Sequence, residues 1–321
     1  MLPKKLLQEI RKRKNKVFLV AAHIHLEGDA LGSELAVASL LRRMGKKVIV
    51  FNEDVAPPEY SFLSGLDGIR HDHFPCDYDV ALLVDCSDTS RIGKASKHLR
   101  NDRLLINIDH HISNSRFGDI NWVEPKASCA SEMIYELFKA LKIKVKKSEA
   151  LLLYTGILVD TGSFKYSTTS PWTHRVASEL LAKGLDVYDI YRRLNESMSF
   201  ETVKALGRII RTLKTDDSGK IAWLEVRHSL IKKNPVLVEL TDQIISFARS
   251  VQGVEVALLF KEVLANREVR INLRSSGRAD VNALAKIFGG GGHKMASGCT
   301  LRGNFKEIVT KVVREARKSV S

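Results

Sequence analysis

The sequence predicts an α/β protein: an N-terminal parallel sheet flanked by helices, a helical connector, and a smaller C-terminal mixed α/β domain. Three observations predict it. Over the first half, short runs rich in Val, Ile and Leu alternate with segments of helical periodicity, the pattern of a parallel sheet with both faces covered. From about Ser170 to Thr215 the apolar spacing is helical, with no convincing strand. After "TDDSGK" strand-like runs return over roughly 100 residues, enough for a second core. The expected divisions are 1–185, 186–215 and 216–321.

The start, "MLPKKLLQEIRKRKNKVFLVAA", sets basic residues before an apolar patch too short for a secretory core. It reads as a basic amphipathic helix leading into a first strand. "KVFLVAA", "KKVIVFN", "DVALLVD" and "RLLINID" read as buried strands, too short for helices. Between the first two, "ALGSELAVASLLRRMG" has helical spacing and a stop at Gly45. "ASEMIYELFKALKI" and "SEALLLYTGILVD" predict two more helices. Further on, "IAWLEVR", "VEVALLF" and "EVRINLRSS" read as strands, "VNALAKIFGG" and "NFKEIVTKVVREARK" as helices. No apolar run reaches the roughly 18 residues of a membrane span.

Hydrophobic content of 44% and charged content of 27% are those of a soluble globular protein. Cys76, Cys86, Cys129 and Cys299 lie far apart with no C-x-x-C pair. That argues against a disulfide framework or a structural zinc site, and for a reducing cytoplasm. The net charge of +14 attracts polyanions in a salt-dependent way. A lysine-rich solvated surface explains it equally well, so the charge fits a phosphate-bearing substrate without naming one.

The chemistry lies at the strand ends. His23, Glu27 and Asp29 follow the first strand in "HIHLEGDALGS", and Asp85 ends "DVALLVD". Asp109, His110 and His111 end "RLLINIDHH", and Asp160 closes "YTGILVDTGSF". One such residue alone is a cap or a turn former. Four segments delivering carboxylate and imidazole to one sheet edge would repel one another without a cation. Carboxylate and imidazole without thiolate suit manganese, iron or zinc, and the donors exceed what one tetrahedral zinc needs. A pair of metals sharing a carboxylate would use them all and would suit phosphoryl hydrolysis.

"HIHLEGDALGS", "LLVDCSDTSR", "IDHHISN" and "GILVDTGSF" resemble, in order, the four motifs of the DHH phosphoesterases. "FGGGGHKMASG" resembles the glycine-rich signature of their associated C-terminal domain. The matches run from His23 to Gly298, nearly the whole chain, and are most similar to the short two-domain NrnA-type nanoRNases. The resemblance implies that His23, Glu27 and Asp85 bind one metal and Asp29, Asp85, His110 and Asp160 the other, with Asp85 as the bridge. It implies that His111 faces the scissile phosphate and that Asp109 orients a neighbouring imidazole. Arg274 and His293 would hold substrate phosphates, and Gly290, Gly291 and Gly292 would let the backbone approach. Arg91 and Asn114 match polar positions near the site.

The implied cofactors are two divalent metal ions, most readily manganese, and the implied active site lies in the cleft between the two domains. The implied substrates are short RNA or dinucleotides and 3′-phosphoadenosine 5′-phosphate, attacked by a hydroxide held between the metals. No membrane is implied; a homodimer is frequent in the family. The alternative is a stand-alone cyclic di-adenylate phosphodiesterase. A non-catalytic nucleotide-binding protein would predict broken ligand positions. Only Glu27 departs, standing where the family usually has Asp, and it keeps charge and both oxygens. Weaker occupancy of the first metal position is the expected consequence. His25 is expected to be a wall residue, and His71 and His73 surface residues.

Overall fold

The computed structural model describes residues 2–73, 77–196, 198–238, 240–264 and 268–320; Cys76 lies outside them. The chain divides into two compact units, 1–197 and 198–321.

The first unit begins with α1 (Lys4–Arg11), whose Leu6 and Ile10 are buried, and β1 (Val17–Ala21). Then come α2 (Gly28–Arg43), β2 (Lys47–Phe51), β3 (Ile69–Arg70), β4 (Val80–Val84), β5 (Leu104–Asp109) and β6 (Ile120–Val123). Helices α3 (Ala130–Leu141), α4 (Lys147–Asp160), α5 (Pro171–Leu181) and α6 (Val187–Asn195) complete it. The six strands are all parallel, in the order β3-β2-β1-β4-β5-β6. Phe18, Val20, Leu82 and Ile106 face the main core under α2, α3 and α4, whereas Leu19, Ala21, Ala81 and Leu83 face a smaller one. Both faces are therefore covered, which is why the strands read as unbroken apolar runs. The smaller core is roofed by Ile92 and Ala95 from the tight turns of Thr89–His98, where an α-helix would be the usual cover. Gly45, at φ +79°, closes α2 as expected.

Two glycines let the helices close in. A Cβ on Gly32 of α2 would stand 2.4 Å from the Leu152 carbonyl of α4. One on Gly156 of α4 would meet Ser131 Oγ at 2.1 Å and Asp29 Oδ1 at 2.8 Å. Gly32→Ala is expected to destabilise by about 1–3 kcal/mol through overpacking, read as a lower urea midpoint. Gly207→Ala, facing open space, is the control and should stabilise by up to about 1 kcal/mol.

The second unit holds α7 (Phe200–Ile210), β7 (Lys214–Thr215), β8 (Ile221–Val226), α8 (His228–Lys233), α9 (Thr241–Arg249), β9 (Val256–Leu264) and β10 (Glu268–Ser275). It ends with α10 (Val281–Ile287), β11 (Gly291–His293), β12 (Ala296–Arg302) and α11 (Phe305–Arg317). Its sheet, in the order β11-β12-β10-β9-β8-β7, is antiparallel except for β8 and β9. Of the segment expected to be helical, α5 and α6 fall in the first unit and α7 in the second; β7 adds a two-residue strand at its end.

Candidate metal centre

In the first sheet the strand order reverses between β1 and β4, which creates a crevice outside their carboxyl ends. β1 runs out into His23, β4 into Asp85, and β5 ends at Asp109 followed by His110 and His111. α2 begins in the same place with Gly28 and Asp29, and Asp160 is the last residue of α4.

Asp85 stands at the middle. It is 3% exposed and has a left-handed backbone, φ +55°, which Asp tolerates better than most residues but which still costs energy. Its Oδ2 is 3.3 Å from His23 Nε2, and its Oδ1 is 3.5 Å from His110 Nε2 and 3.6 Å from His111 Nδ1. Oδ1 is buried and has no hydrogen-bond partner among the described residues. A buried carboxylate oxygen left without a donor is costly unless a cation meets it.

Two donor groups flank this carboxylate. His23, Glu27 and Asp85 offer ligand atoms within 4.8 Å of one another, and so do Asp29, His110 and Asp160. His110 Nε2 lies 3.4 Å from Asp160 Oδ2, and His23 Nε2 lies 3.9 Å from Glu27 Oε1. His111 joins Asp85 and His110 in a third such group. The donors are carboxylate and imidazole only, a set that can hold divalent metal ions.

The donor side chains are held from behind. Asp29 accepts backbone N–H bonds from Ala130 (2.6 Å) and Ser131 (2.8 Å), so its carboxylate rests on the N-terminus of α3, where the helix dipole favours negative charge. Glu27 is the N-cap of α2: its Oε1 accepts from Asp29 N–H (2.9 Å) and Ala30 N–H (2.8 Å). The longer side chain thus folds back onto its own helix, with the same Oε1 facing His23 Nε2 at 3.9 Å. Asn52, which no motif singles out, accepts from the N–H of Ala22, just before His23, and donates to buried Glu34 at 2.5 Å.

The cluster is electrostatically unsettled without cations. Burial and the neighbouring Asp85 charge push Glu27 up to about 7 and Asp29 up to about 6. Burial and the Asp29 charge push Asp160 up to about 8. Burial works against charged imidazoles here, yet Asp85 outweighs it and raises His23 to about 9 and His110, with help from Asp160, to about 10. Asp85, also opposed by burial, is held far below the carboxylate range by His110 and His23. Two divalent cations would offset the formal charge of Glu27, Asp29, Asp85 and Asp160.

Raised folded values mean stability present below the ordinary 3.8–4.5 of the three acids and lost as pH climbs through about 6 to 8; the histidines add losses through about 9 to 10. In EDTA the thermal midpoint of the first unit should fall from pH 5 to pH 8. Mn²⁺ should restore it, with affinity rising over that range because ligands bind deprotonated. Asp160→Asn should raise the metal-free midpoint at pH 8 while weakening Mn²⁺ binding. A midpoint in EDTA that rises over that interval would contradict this picture.

Behind the donors lies a polar relay. His111 Nδ1 is 2.7 Å from Asp109 Oδ1, and Asp109 itself is fully buried. Asn114 Nδ2 is within hydrogen-bonding distance of Asp109 Oδ2 (2.6 Å), Asn107 Oδ1 (2.8 Å) and the Cys86 carbonyl (3.0 Å). Asn107, polar within an otherwise apolar strand, also donates to the Cys86 carbonyl. That break in pattern was the signal that could have pointed to it.

Comparison with known proteins matches two family models along the chain. Residues 17–157 match the model of the DHH family, N-terminal domain, and residues 238–318 match the DHHA1 domain. A probable bifunctional oligoribonuclease and PAP phosphatase NrnA of Streptococcus mutans is 31% identical, covering 87% of this chain and 88% of its own. The chain belongs to the DHH family. The bifunctional oligoribonuclease and PAP phosphatase NrnA of Bacillus subtilis is 28% identical over 87% of each chain. A crystal structure of an exopolyphosphatase-related protein from Bacteroides fragilis superposes with a TM-score of 0.89 at 26% identity, over 99% of this chain and 98% of that one.

The backbone carbonyl of Arg91 accepts from Ile24 N–H at 2.7 Å, tying the loop after β4 to the loop after β1. Arg274, in the DHHA1 domain, donates through Nε (3.1 Å) and Nη2 (2.5 Å) to Asp242 Oδ1. Gly291, Gly292 and His293 form β11 and are exposed. Gly290 precedes them. His25 is exposed, 3.9 Å from Asp54, and belongs to none of the donor groups. His73 is exposed, but His71 is half-buried, its Nδ1 3.0 Å from the Asn52 carbonyl. Among the described residues no helix is long and apolar enough to cross a membrane.

Proposed function

We propose that this chain is a metal-dependent phosphoesterase that hydrolyses short oligoribonucleotides to mononucleotides and removes the 3′-phosphate of 3′-phosphoadenosine 5′-phosphate. One observation carries the reading: Asp85, with a buried oxygen lacking a donor, stands between two imidazole–carboxylate groups at the switch point of the sheet. DHH-family membership supports it, as do relatives named for these two activities that match 87% of the chain.

In this reading His23, Glu27 and Asp85 hold one divalent ion, and Asp29, Asp85, His110 and Asp160 the other. Manganese suits the donor set. When bound, such ions would supply an activated water and positive charge for the phosphoryl oxygens. Asp109 accepts a hydrogen bond from Nδ1–H of His111, which fixes the ring and its tautomer. Nε2 of His111 can then deliver a proton to the leaving ribose oxygen. Asn114 acts through Asp109, holding the carboxylate in line with the ring. Arg91 contributes positive charge beside the centre. In the DHHA1 domain, Arg274, His293 and the backbone of Gly290, Gly291 and Gly292 bind the phosphates of the terminal nucleotide. Arginine's fork suits that role, and the phosphate takes the place of Asp242.

The test is a Mn²⁺-supplemented hydrolysis panel of di- to pentaribonucleotides, 3′-phosphoadenosine 5′-phosphate and cyclic di-adenylate. Turnover of the linear ribonucleotides and the bisphosphate is expected. Turnover of the cyclic substrate alone would replace this reading with a cyclic-dinucleotide phosphodiesterase, and hydrolysis of none would end it.

A further inference from the structure

In the first unit, β1, α2, α3 and α4 each have one end at the metal centre and the other at the far side of the sheet. Three connections meet at that far side: residues 11–16 from α1 to β1, 42–47 from α2 to β2, and 142–147 from α3 to α4. Thirteen of their eighteen residues are Lys or Arg, and none is Asp or Glu. Contacts join them into one surface. Lys46 Nζ donates to the carbonyls of Lys12 (2.7 Å) and Asn15 (2.8 Å), and Arg43 Nη1 donates to the Lys144 carbonyl (3.0 Å). The length of β1 and α2 puts this surface roughly 20 Å from the donor groups.

The carboxylates next to these segments are already engaged. Glu9 is held by Lys12 and Asn15, and buried Glu149 by Arg43 (2.7 Å) and Ser39 (2.7 Å). Asp79 Oδ2 accepts from the backbone N–H of Lys16 and of Val17. Lys14, Lys16, Lys47, Lys142, Lys144 and Lys147 stay exposed, with no ion-pair partner among the described residues. In 142–147 the apolar Ile143 and Val145 pack on the main core and leave the lysines between them outside. A face that serves solubility alone mixes both signs. Like charges gathered this way repel one another and weaken the fold, and a bound polyanion removes that repulsion.

We propose that this end of the first unit is a docking surface for the phosphate backbone of a nucleic-acid strand, held without regard to sequence. The kind of charge points to that partner. Lysine ammonium groups meet phosphate oxygens as point charges, and each phosphate neutralised releases counterions. Among the described residues no exposed large apolar or aromatic side chain lies in the three segments. Nothing there stacks on a base or forms the apolar centre of a protein interface. A membrane surface fits less well, because Leu6, Leu7 and Ile10 of α1 pack into the main core and leave no apolar face to insert. A strand held here does not occupy the metal centre, so the inference stands whether or not that centre hydrolyses ribonucleotides.

The test is fluorescence anisotropy of a labelled oligouridylate of about 30 nucleotides, titrated in EDTA to prevent hydrolysis, between about 50 and 200 mM salt. Wild-type affinity should fall steeply over that range, with a log–log slope of about 0.7 per phosphate contacted. Lys14→Gln, Lys47→Gln, Lys144→Gln and Lys147→Gln combined should weaken binding at least about tenfold at the lower salt and reduce the slope by about 3. Arginine at the same four positions should bind like wild type. Four exposed lysines of the second unit serve as the control for net charge. Lys232→Gln, Lys233→Gln, Lys286→Gln and Lys306→Gln combined should leave binding within about twofold of wild type. The inference is overturned by a wild type that does not bind, by equal losses in the two glutamine variants, or by the same loss in the arginine variant. Phosphatidylserine vesicles are the competing partner. If the first glutamine variant loses vesicle binding but keeps oligouridylate binding, the surface is a membrane contact and the nucleic-acid assignment fails.

Discussion

Asp85→Asn is expected to lower kcat/KM for a diribonucleotide by at least about 10³-fold, since metal ions supply several kcal/mol of transition-state stabilisation. The reason is its position. One carboxylate contacts His23 through Oδ2 and His110 through Oδ1, and no other described side chain lies in both surroundings. An amide keeps the size but offers one oxygen and no charge. The loss should be accompanied by a drop in bound Mn²⁺, measured on protein dialysed against limiting metal. Activity retained at the wild-type level in Asp85→Asn would mean that chemistry occurs elsewhere.

His111→Ala should cost about 10²- to 10⁴-fold in kcat, the usual range for a lost general acid, while Mn²⁺ binding through the other donors persists. The deciding readout is the leaving group. A p-nitrophenyl ester of a nucleotide needs no protonation as it departs, so the defect should shrink to a small factor with that substrate. An equal defect with both leaving groups would assign His111 to holding the phosphate or the metals. Asn114→Ala should show the same dependence in milder form, because it leaves Asp109 in place but removes its partner at 2.6 Å.

Much of this was legible in the chain itself. β1, β2, β4 and β5 were readable because both faces are buried and the runs stay apolar. The positions just beyond them were readable because carboxylates and imidazoles break those runs abruptly. Edge strands β3 and β6 were not, being two and four residues long with little pattern to detect. Nor was the covering of the second sheet face by tight turns, because Thr89–His98 has no helical period long enough to compare.

Within the centre, what could not be read was support. Asp29 rests on amides 101 and 102 residues away, and Asn114 reaches Asp109 around a turn whose shape depends on Asn107. Glu27 was visible as an exception but not as a helix cap, a role set by the backbone of Asp29 and Ala30 rather than by composition. The left-handed backbone of Asp85 carried no glycine to announce it. In the glycine run, sequence alone could not separate Gly290 and Gly292, needed for strand packing, from Gly291, where a Cβ would meet nothing nearer than Asn282 Oδ1 at 4.0 Å.

The measurement closest to the central claim is anomalous diffraction at the manganese edge from crystals grown with Mn²⁺. The account predicts two peaks about 3.5–4 Å apart, one beside His23 and Glu27, the other beside Asp29, His110 and Asp160, with Asp85 between them. A single peak, or manganese bound only away from Asp85, would contradict it.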